Sequence, residues 1–518
     1  MKTLWFMLFL MAASSASHAQ ITQEGRMELE SKEGGIGSTA ALGERGVLVF
    51  GNSEKASDGI WEVTRYDTKF EMVSKSAVKH NKRTSFLTHL FTNDGKEVLF
   101  VFANASLVEV VRYNIESSNT TEFQSKLRFK PINAYLLNNT LFLEGVVKSK
   151  PVVMQLNLLT GNSKMVMVPG PGKNTIIKDI AIDHEQQIVA ISVRYGSKKD
   201  MRKWKFEIGM FDENGSRISD PIIIENDPDR YTLDADITWL GKDEYLLSGN
   251  YSSDTRPLSN GIFMAAFKNG RQQFIRYHNF ADMNNFFQYL SAKNKSKVEK
   301  KVAKKKEKGK DNAIQVHMTT HKISEFAGQY VILGEAYFPT YRTVVTTTYV
   351  NGSPQTTTYQ VFDGYQYTHA TILGLDKQGN KLWDHCFEID IPKKPFYVRQ
   401  NIRGLMTEKE IRLFYPSGAN LKSMIIAKDN SLIEKNLGKL QTQRVGDKIK
   451  REDLPDVKYW YGDYFLLSGS QQIKNTQDKS KGKNRNVYYL AKIKVDAEFD
   501  PNALDNDSGE DVWEEDGD

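Results

Sequence analysis

The chain has 518 residues, a formal net charge of +6 and one cysteine. A lone cysteine excludes an intramolecular disulfide, so stability has to come from a large apolar core. An aromatic share of 11 %, with 23 tyrosines and 27 phenylalanines, suits strands better than helices.

The chain opens with Lys2 and a continuous apolar run from Leu4 to Ala13. Small residues follow, and Ser17-His18-Ala19 reads as a cleavage site before Gln20, so residues 1–19 are expected to be a secretory signal peptide. The run falls short of the roughly 20 apolar residues that a spanning helix needs, and no later stretch is apolar enough. An exported protein of the periplasm, cell surface or extracellular space is expected. Beyond the signal, residues 26–30 around Met27 form one isolated candidate strand.

A strand motif then recurs. Tyr245-Leu246-Leu247-Ser248-Gly249 returns as Phe465-Leu466-Leu467-Ser468-Gly469, with looser copies starting at Val47, Leu141 and Tyr330. A second motif follows in order: an aromatic residue or leucine, then Asp or Asn, then a turn. It reads Tyr66-Asp67, Tyr113-Asn114, Leu156-Asn157, Phe211-Asp212 and Leu375-Asp376. Asp and Asn cap turns with their own side chains, and a following glycine supplies positive φ. Landmarks at Val47, Val98, Leu141, Ile188, Tyr245, Tyr330, Ile411 and Phe465 define eight units. Most spacings lie between 43 and 57 residues, near the roughly 40–50 of propeller blades. The fold expected is an all-β, single β-propeller over residues 20–495, of eight blades with seven as the alternative. The last unit lacks a fourth strand, and the strand around Met27 is expected to fill that place and hide the open edge.

The stretch Leu375-Asp376-Lys377-Gln378-Gly379-Asn380-Lys381-Leu382-Trp383 resembles the repeat of quinoprotein-type propellers, in which a Leu-Asp-x-x-Gly turn leads into Leu-Trp. The resemblance covers one blade and implies the fold, not quinone binding.

Two spacings are long, 85 and 81 residues, and each contains an insertion. The first covers about 284–312 and carries ten lysines from Lys293 to Lys310. A solvated, partly disordered excursion is the ordinary fate of such a block. The sharper reading is a polyanion contact, such as an acidic polysaccharide. Absence of arginine from the run argues against bidentate phosphate recognition, and an exported chain does not meet nucleic acid. The second insertion, from Arg342 to Phe362, has two threonine-rich strands around Asn351-Gly352, the signature of a long hairpin. It either protrudes and offers Tyr349, Asn351, Gly352 and Tyr359 to a partner or folds back over the propeller. The tail, 496–518, holds eleven acids and no Lys or Arg. Asp505, Asp507, Glu510 and Asp511 miss the EF-hand spacing, so a disordered acidic tail is expected.

Catalytic signatures are sparse. No Gly-x-Ser-x-Gly elbow or phosphate-cradling glycine loop is present. Cys386 and His385 are adjacent and would face opposite ways on a strand. Counting nine residues back from each landmark reaches Ser38, His89, Ile132 beside Asn133, Asp179, Asp236, His321, Ile402 beside Asn401, and Asp456. First strands of a propeller line its central channel, so Asp179, Asp236, Asp456, His89 and His321 are the candidate ligand-binding residues, with Asp234 on the face of Asp236. The bland reading is a hydrated channel. The sharper one is a small polar ligand or a hard cation such as calcium or magnesium. The sequence therefore points to a non-catalytic binding or scaffold propeller whose partner is an envelope protein or polysaccharide. The alternative is a propeller hydrolase or lyase that acts on glycan through the channel acids.

Overall fold

A computed structural model describes residues 21–30, 38–52, 59–197, 200–241, 243–308, 314–444, 446–475 and 484–495. The segment 1–19 expected to be a signal peptide and the acidic tail 496–518 lie outside the described residues. Among those described, strands make eight antiparallel sheets. Their second strands are Val47–Asn52, Glu97–Ala103, Thr140–Val147, Ile188–Tyr195, Glu244–Ser252, Gln329–Val350, Glu410–Ser417 and Tyr464–Asn475. All eight landmarks fall on these strands. The sheets are numbered 1 to 8 in that order.

The turns after the third strands form for the local reason the sequence suggests. Asp67 Oδ1 accepts from the backbone N–H groups of Lys69 and Glu71. Asn114, Asn157 and Asp376 each accept from two backbone N–H groups two to four residues on. The glycine that ends the second-strand motif has a separate task. A Cβ on Gly249 would lie 1.9 Å from the carbonyl oxygen of Asp234, so only glycine lets the bulged first strand approach this closely.

The strand Ile21–Glu30 pairs antiparallel with Arg485–Val495, placing Met27 opposite Leu490 and making the N-terminal strand the outermost of sheet 8. Charge fixes it there. The Arg485 guanidinium bonds the carboxylates of both Glu28, at 2.6 Å, and Asp447, and Arg26 lies 4.3 Å over the Tyr489 ring.

Core packing lies between sheets, not within one centre. Phe50 and Trp61 of sheet 1 pack with Phe100 and Phe102 of sheet 2, and each following pair shares its own apolar cluster. An eighth cluster joins sheet 8 to sheet 1 through Trp460, Leu466, Val47 and Val49. Propeller architecture follows from this arrangement of sheets face to face.

Both long spacings contain added structure. Residues after Phe280 lie against the edge of sheet 6, where the buried Asp384 carboxylate accepts from the backbone N–H groups of Asn284 and Asn285. The lysine run expected to be a partly disordered excursion is instead largely a helix, Ala292–Lys306. Val302 is buried in the cluster between sheets 5 and 6, and Phe286 and Met283 join it there. Val298 and Val302, four residues apart on one face of the helix, pack against that cluster and anchor it despite its lysines. In the second insertion, the strands Gln329–Val350 and Ser353–Leu375 pair out to Val350 opposite Ser353. Asn351 and Gly352 take φ of 50° and 79°, as the tight hairpin turn requires. Residues 351–360 are all exposed. Among the described residues, no helix is long and apolar enough to cross a membrane.

Candidate functional site

The channel side chains come from first strands, whose register is set by bulges. Irregularities fall between Phe86 and Thr88, Pro131 and Asn133, Ile177 and Asp179, and Thr232 and Asp234. Beyond each bulge the polar residue is paired with the second strand. Asp179 faces Ser192, Asp236 faces Ser248 and Asp456 faces Ser468. Since neighbouring residues of these strands enter core clusters, bulge and pairing together turn the acids toward the following sheet.

Asp179, Asp234 and Asp236 form one group. Burial pushes the Asp236 carboxyl up to about 7, and the charges of Asp179 and Asp234 add to that rise. Burial also raises Asp179, with Asp234 adding and Lys322 opposing. Its Oδ2 is buried and has no hydrogen-bond partner among the described residues. Lys178 Nζ lies 3.1 Å from Asp234 Oδ2. A cavity of 580 Å³ opens beside this group between sheets 5, 6 and 7. Asp236, His321, Lys322, Ser324, Glu325 and Gln400 supply its polar lining, and Leu333, Ile372, Leu405 and Met406 are among its apolar walls.

Asp456 belongs to a different group of charges. Its Oδ2 lies 3.1 Å from Lys458 Nζ, which also donates to the Thr39 carbonyl at 2.6 Å. His89 is near it but turns the other way from the acids. Its ring packs edge-on against Phe50 of the preceding sheet, at 5.3 Å between centroids. Burial lowers the His89 pKa to about 4, with Lys458 adding to the effect and Asp456 opposing it. His89 pairs with Phe100, whose side chain packs toward the preceding sheet, so a one-residue difference in register gives His89 the opposite face from the acids.

His321 lines the cavity with Asp236. It sits in a break between the strands His317–Thr320 and Ser324–Phe326, and its Nε2 meets Glu335 Oε1 at 2.8 Å. Among the described residues, no group of three or more His, Cys, Asp or Glu side chains is arranged to hold a metal ion. Tyr349 and Tyr359, at the exposed hairpin, are 75 % and 48 % exposed and stand apart from the channel with Asn351 and Gly352.

The sequence reading missed Glu335, Lys322, Gln400 and Arg403. Glu335 lies five residues beyond its landmark, on a strand read as core, and nothing local separates a buried carboxylate from an exposed one. Lys322 and Arg403 are next to column positions and were reachable by allowing one residue of slip.

No protein-family profile matches the chain, and no curated protein matches it. Among solved structures, similar chains include one of two prolyl endopeptidases, at 8 % identity and a TM-score of 0.38, covering 87 % of this chain and 55 % of that one. This chain therefore spans about half the length of that enzyme. The polysaccharide lyase Uly1 matches at 8 % identity over 89 % of this chain and 100 % of its own, with a TM-score of 0.37. TolB from Acinetobacter baumannii matches at 13 % identity over 48 % of this chain and 55 % of its own, with a TM-score of 0.27. The sheet arrangement of the chain itself establishes an all-β propeller, and the blade with Trp383 does not single out the quinoprotein-type family.

Proposed function

We propose that this chain is an exported, non-catalytic binding propeller of the cell envelope or extracellular space, which holds a polar segment of its partner in the axial cavity. One observation carries the reading: a 580 Å³ space with apolar walls and a few convergent polar groups, Asp236, Lys322 and Gln400 among them. That size and lining match the usual ligand pocket of about 300–1,000 Å³. The exposed hairpin, through Tyr349 and Tyr359, is a second contact surface, since loops carried on a rigid scaffold commonly bind. Capture of partners from an envelope fraction tests this. The double variant Asp236→Asn, Lys322→Gln is expected to lose capture, and replacement of residues 342–362 by a short turn to weaken it. Undiminished capture by the double variant contradicts the reading.

A second reading rests on Asp236 itself. A carboxyl that keeps its proton near neutral pH beside other carboxylates is what a general acid requires. A glycan hydrolase or lyase would then use Asp236 as the acid. Chain cleavage of a polysaccharide panel that disappears in Asp236→Asn would favour it over simple binding.

A further inference from the structure

A second cavity, of 590 Å³, lies between sheets 6, 7 and 8, and it differs in chemistry from the acidic one. Thr319, Arg403 and Asp456 reach it from three successive first strands, and Tyr397, Arg399 and Gln400 from the segment entering sheet 7. We propose that this cavity is a binding site for an acidic sugar, a ring that carries a carboxylate and hydroxyl groups.

The two arginines are held in place without being neutralised. Arg399 Nη2 donates to the Pro455 carbonyl at 3.2 Å. Arg403 Nε donates to Val457 O at 3.0 Å, and its Nη1 to Gln400 O and Ile402 O at 2.9 and 3.0 Å. Every one of these acceptors is a backbone carbonyl, which orients a guanidinium but brings no negative charge. Among the described residues, no carboxylate forms an ion pair with either arginine. The one acid of the cavity, Asp456, is already paired with Lys458. Local charge is therefore positive, and both guanidinium-bearing residues line the space. Burial lowers the Arg403 pKa; Asp456 and Glu335 counter this, and the nearby charge of Arg399 adds to it, as expected of two cations kept side by side. Paired guanidinium forks suit a carboxylate.

Two further features narrow the ligand. Tyr397, a large aromatic side chain of the cavity lining, is 64 % exposed. Such a side chain covers the apolar face of a ring. Asp456 stays partly exposed and accepts hydrogen bonds, while Thr319 and Gln400 add neutral polar groups. Inorganic phosphate would use the arginines and leave the aromatic face of Tyr397 idle. A peptide carboxylate would use the arginines and leave the aromatic face and the acceptor idle. A sugar acid uses all three, with its carboxylate on the arginines, its hydroxyls on Asp456 and Gln400, and its ring on Tyr397.

Titration calorimetry of the full chain tests this with trisaccharides of galacturonate, glucuronate, mannuronate and guluronate, beside a neutral galactose trisaccharide and inorganic phosphate. At least one uronate is expected to bind, more weakly as salt is raised, and the neutral sugar not at all. Arg399→Gln and Tyr397→Ala are each expected to weaken binding by about tenfold or more, the equivalent of one charge-assisted bond or one ring contact. Arg403→Gln risks the fold because three carbonyls depend on it, so the exposed Tyr397 carries the decision. The proposal is overturned if no uronate binds at millimolar concentration, or if the neutral sugar binds equally. It is also overturned if phosphate binds as well as any uronate while Tyr397→Ala changes nothing.

Discussion

The Nε2 atom of His321 lies 2.8 Å from the wholly buried carboxylate of Glu335, and the same carboxylate fastens the next sheet. Backbone N–H groups of Asn401 and Ile402 donate to it at 2.9 and 3.0 Å, and Asn401 Nδ2 does so at 3.1 Å. One side chain of sheet 6 thus satisfies four donors and fixes where the chain enters sheet 7, the segment that separates the two cavities. Glu335→Ala would leave two buried backbone N–H groups unpaired, each worth about 1–3 kcal/mol. A loss of about 3 kcal/mol or more is expected in urea unfolding, and Glu335→Gln is expected to recover part of it.

Asp236 should make stability fall as pH rises. Its carboxyl titrates near 7 in the folded chain against an ordinary 3.8. Below the lower value both states are protonated and its effect vanishes. Between the two the unfolded chain gains charge first, so folding loses stability until about 7 and is flat above. Asp236→Asn removes this loss. The variant is expected to melt higher than the parent at pH 8, by the equivalent of a few kcal/mol at most, and the difference is expected to shrink steadily toward pH 4.

His369 predicts the opposite trend. Its ring is fully buried, stacked on Tyr289 at 4.0 Å and edge-on to Phe286 at 4.6 Å, and burial lowers its pKa to about 3. The unfolded chain therefore takes up a proton first as pH falls below 6.5, and stability is lost from there down to about 3. Since Phe286 and Tyr289 belong to the segment between sheet 5 and the lysine-rich helix, acid should loosen that segment. The protection of residues 284–290 against hydrogen exchange, relative to the intrinsic rate at each pH, is expected to fall between pH 6.5 and 4 in the parent. In His369→Phe it is expected to fall much less.

The N-terminal strand is held by charge that is expensive to strand. Glu28 and Asp447 have side chains almost without exposure, and both meet Arg485. Arg485→Ala leaves two buried carboxylates short of a partner, and loss of one partner of a buried pair costs about 3–5 kcal/mol. Thermal unfolding is expected to show that loss. Proteolysis is expected to release the first strand, Ile21–Glu30, before the rest.

These elements show what a single sequence displays. Second strands and their Asp or Asn turns were legible because both are local: an apolar run closes on Gly249, and Asp67 bonds backbone two and four residues on. The partner of the last sheet was legible by elimination, from a missing strand and an orphan around Met27. The channel was legible only in part. Asp179, Asp236 and Asp456 lie where counting placed them, yet bulges and a strand break turn His89 to Phe50 and His321 to Glu335. The apolar residues of the lysine run, Val298 and Val302 among them, permitted a helix, but its charge-dominated composition favoured a solvated excursion. Arg403 lies one residue from a column position, but Arg399 carries no periodic signal, since it enters from the segment before the strand Arg403–Met406.

Carboxyl labelling read by mass spectrometry, with the chain alone and with its envelope partner bound, tests the binding account most directly. Protection of Asp234 and Asp236 is expected on binding, with exposed Glu122 and Glu185 on outer strands and turns labelled as before. Retention of the partner with Asp234 and Asp236 labelled to the same extent as in the free chain would contradict it.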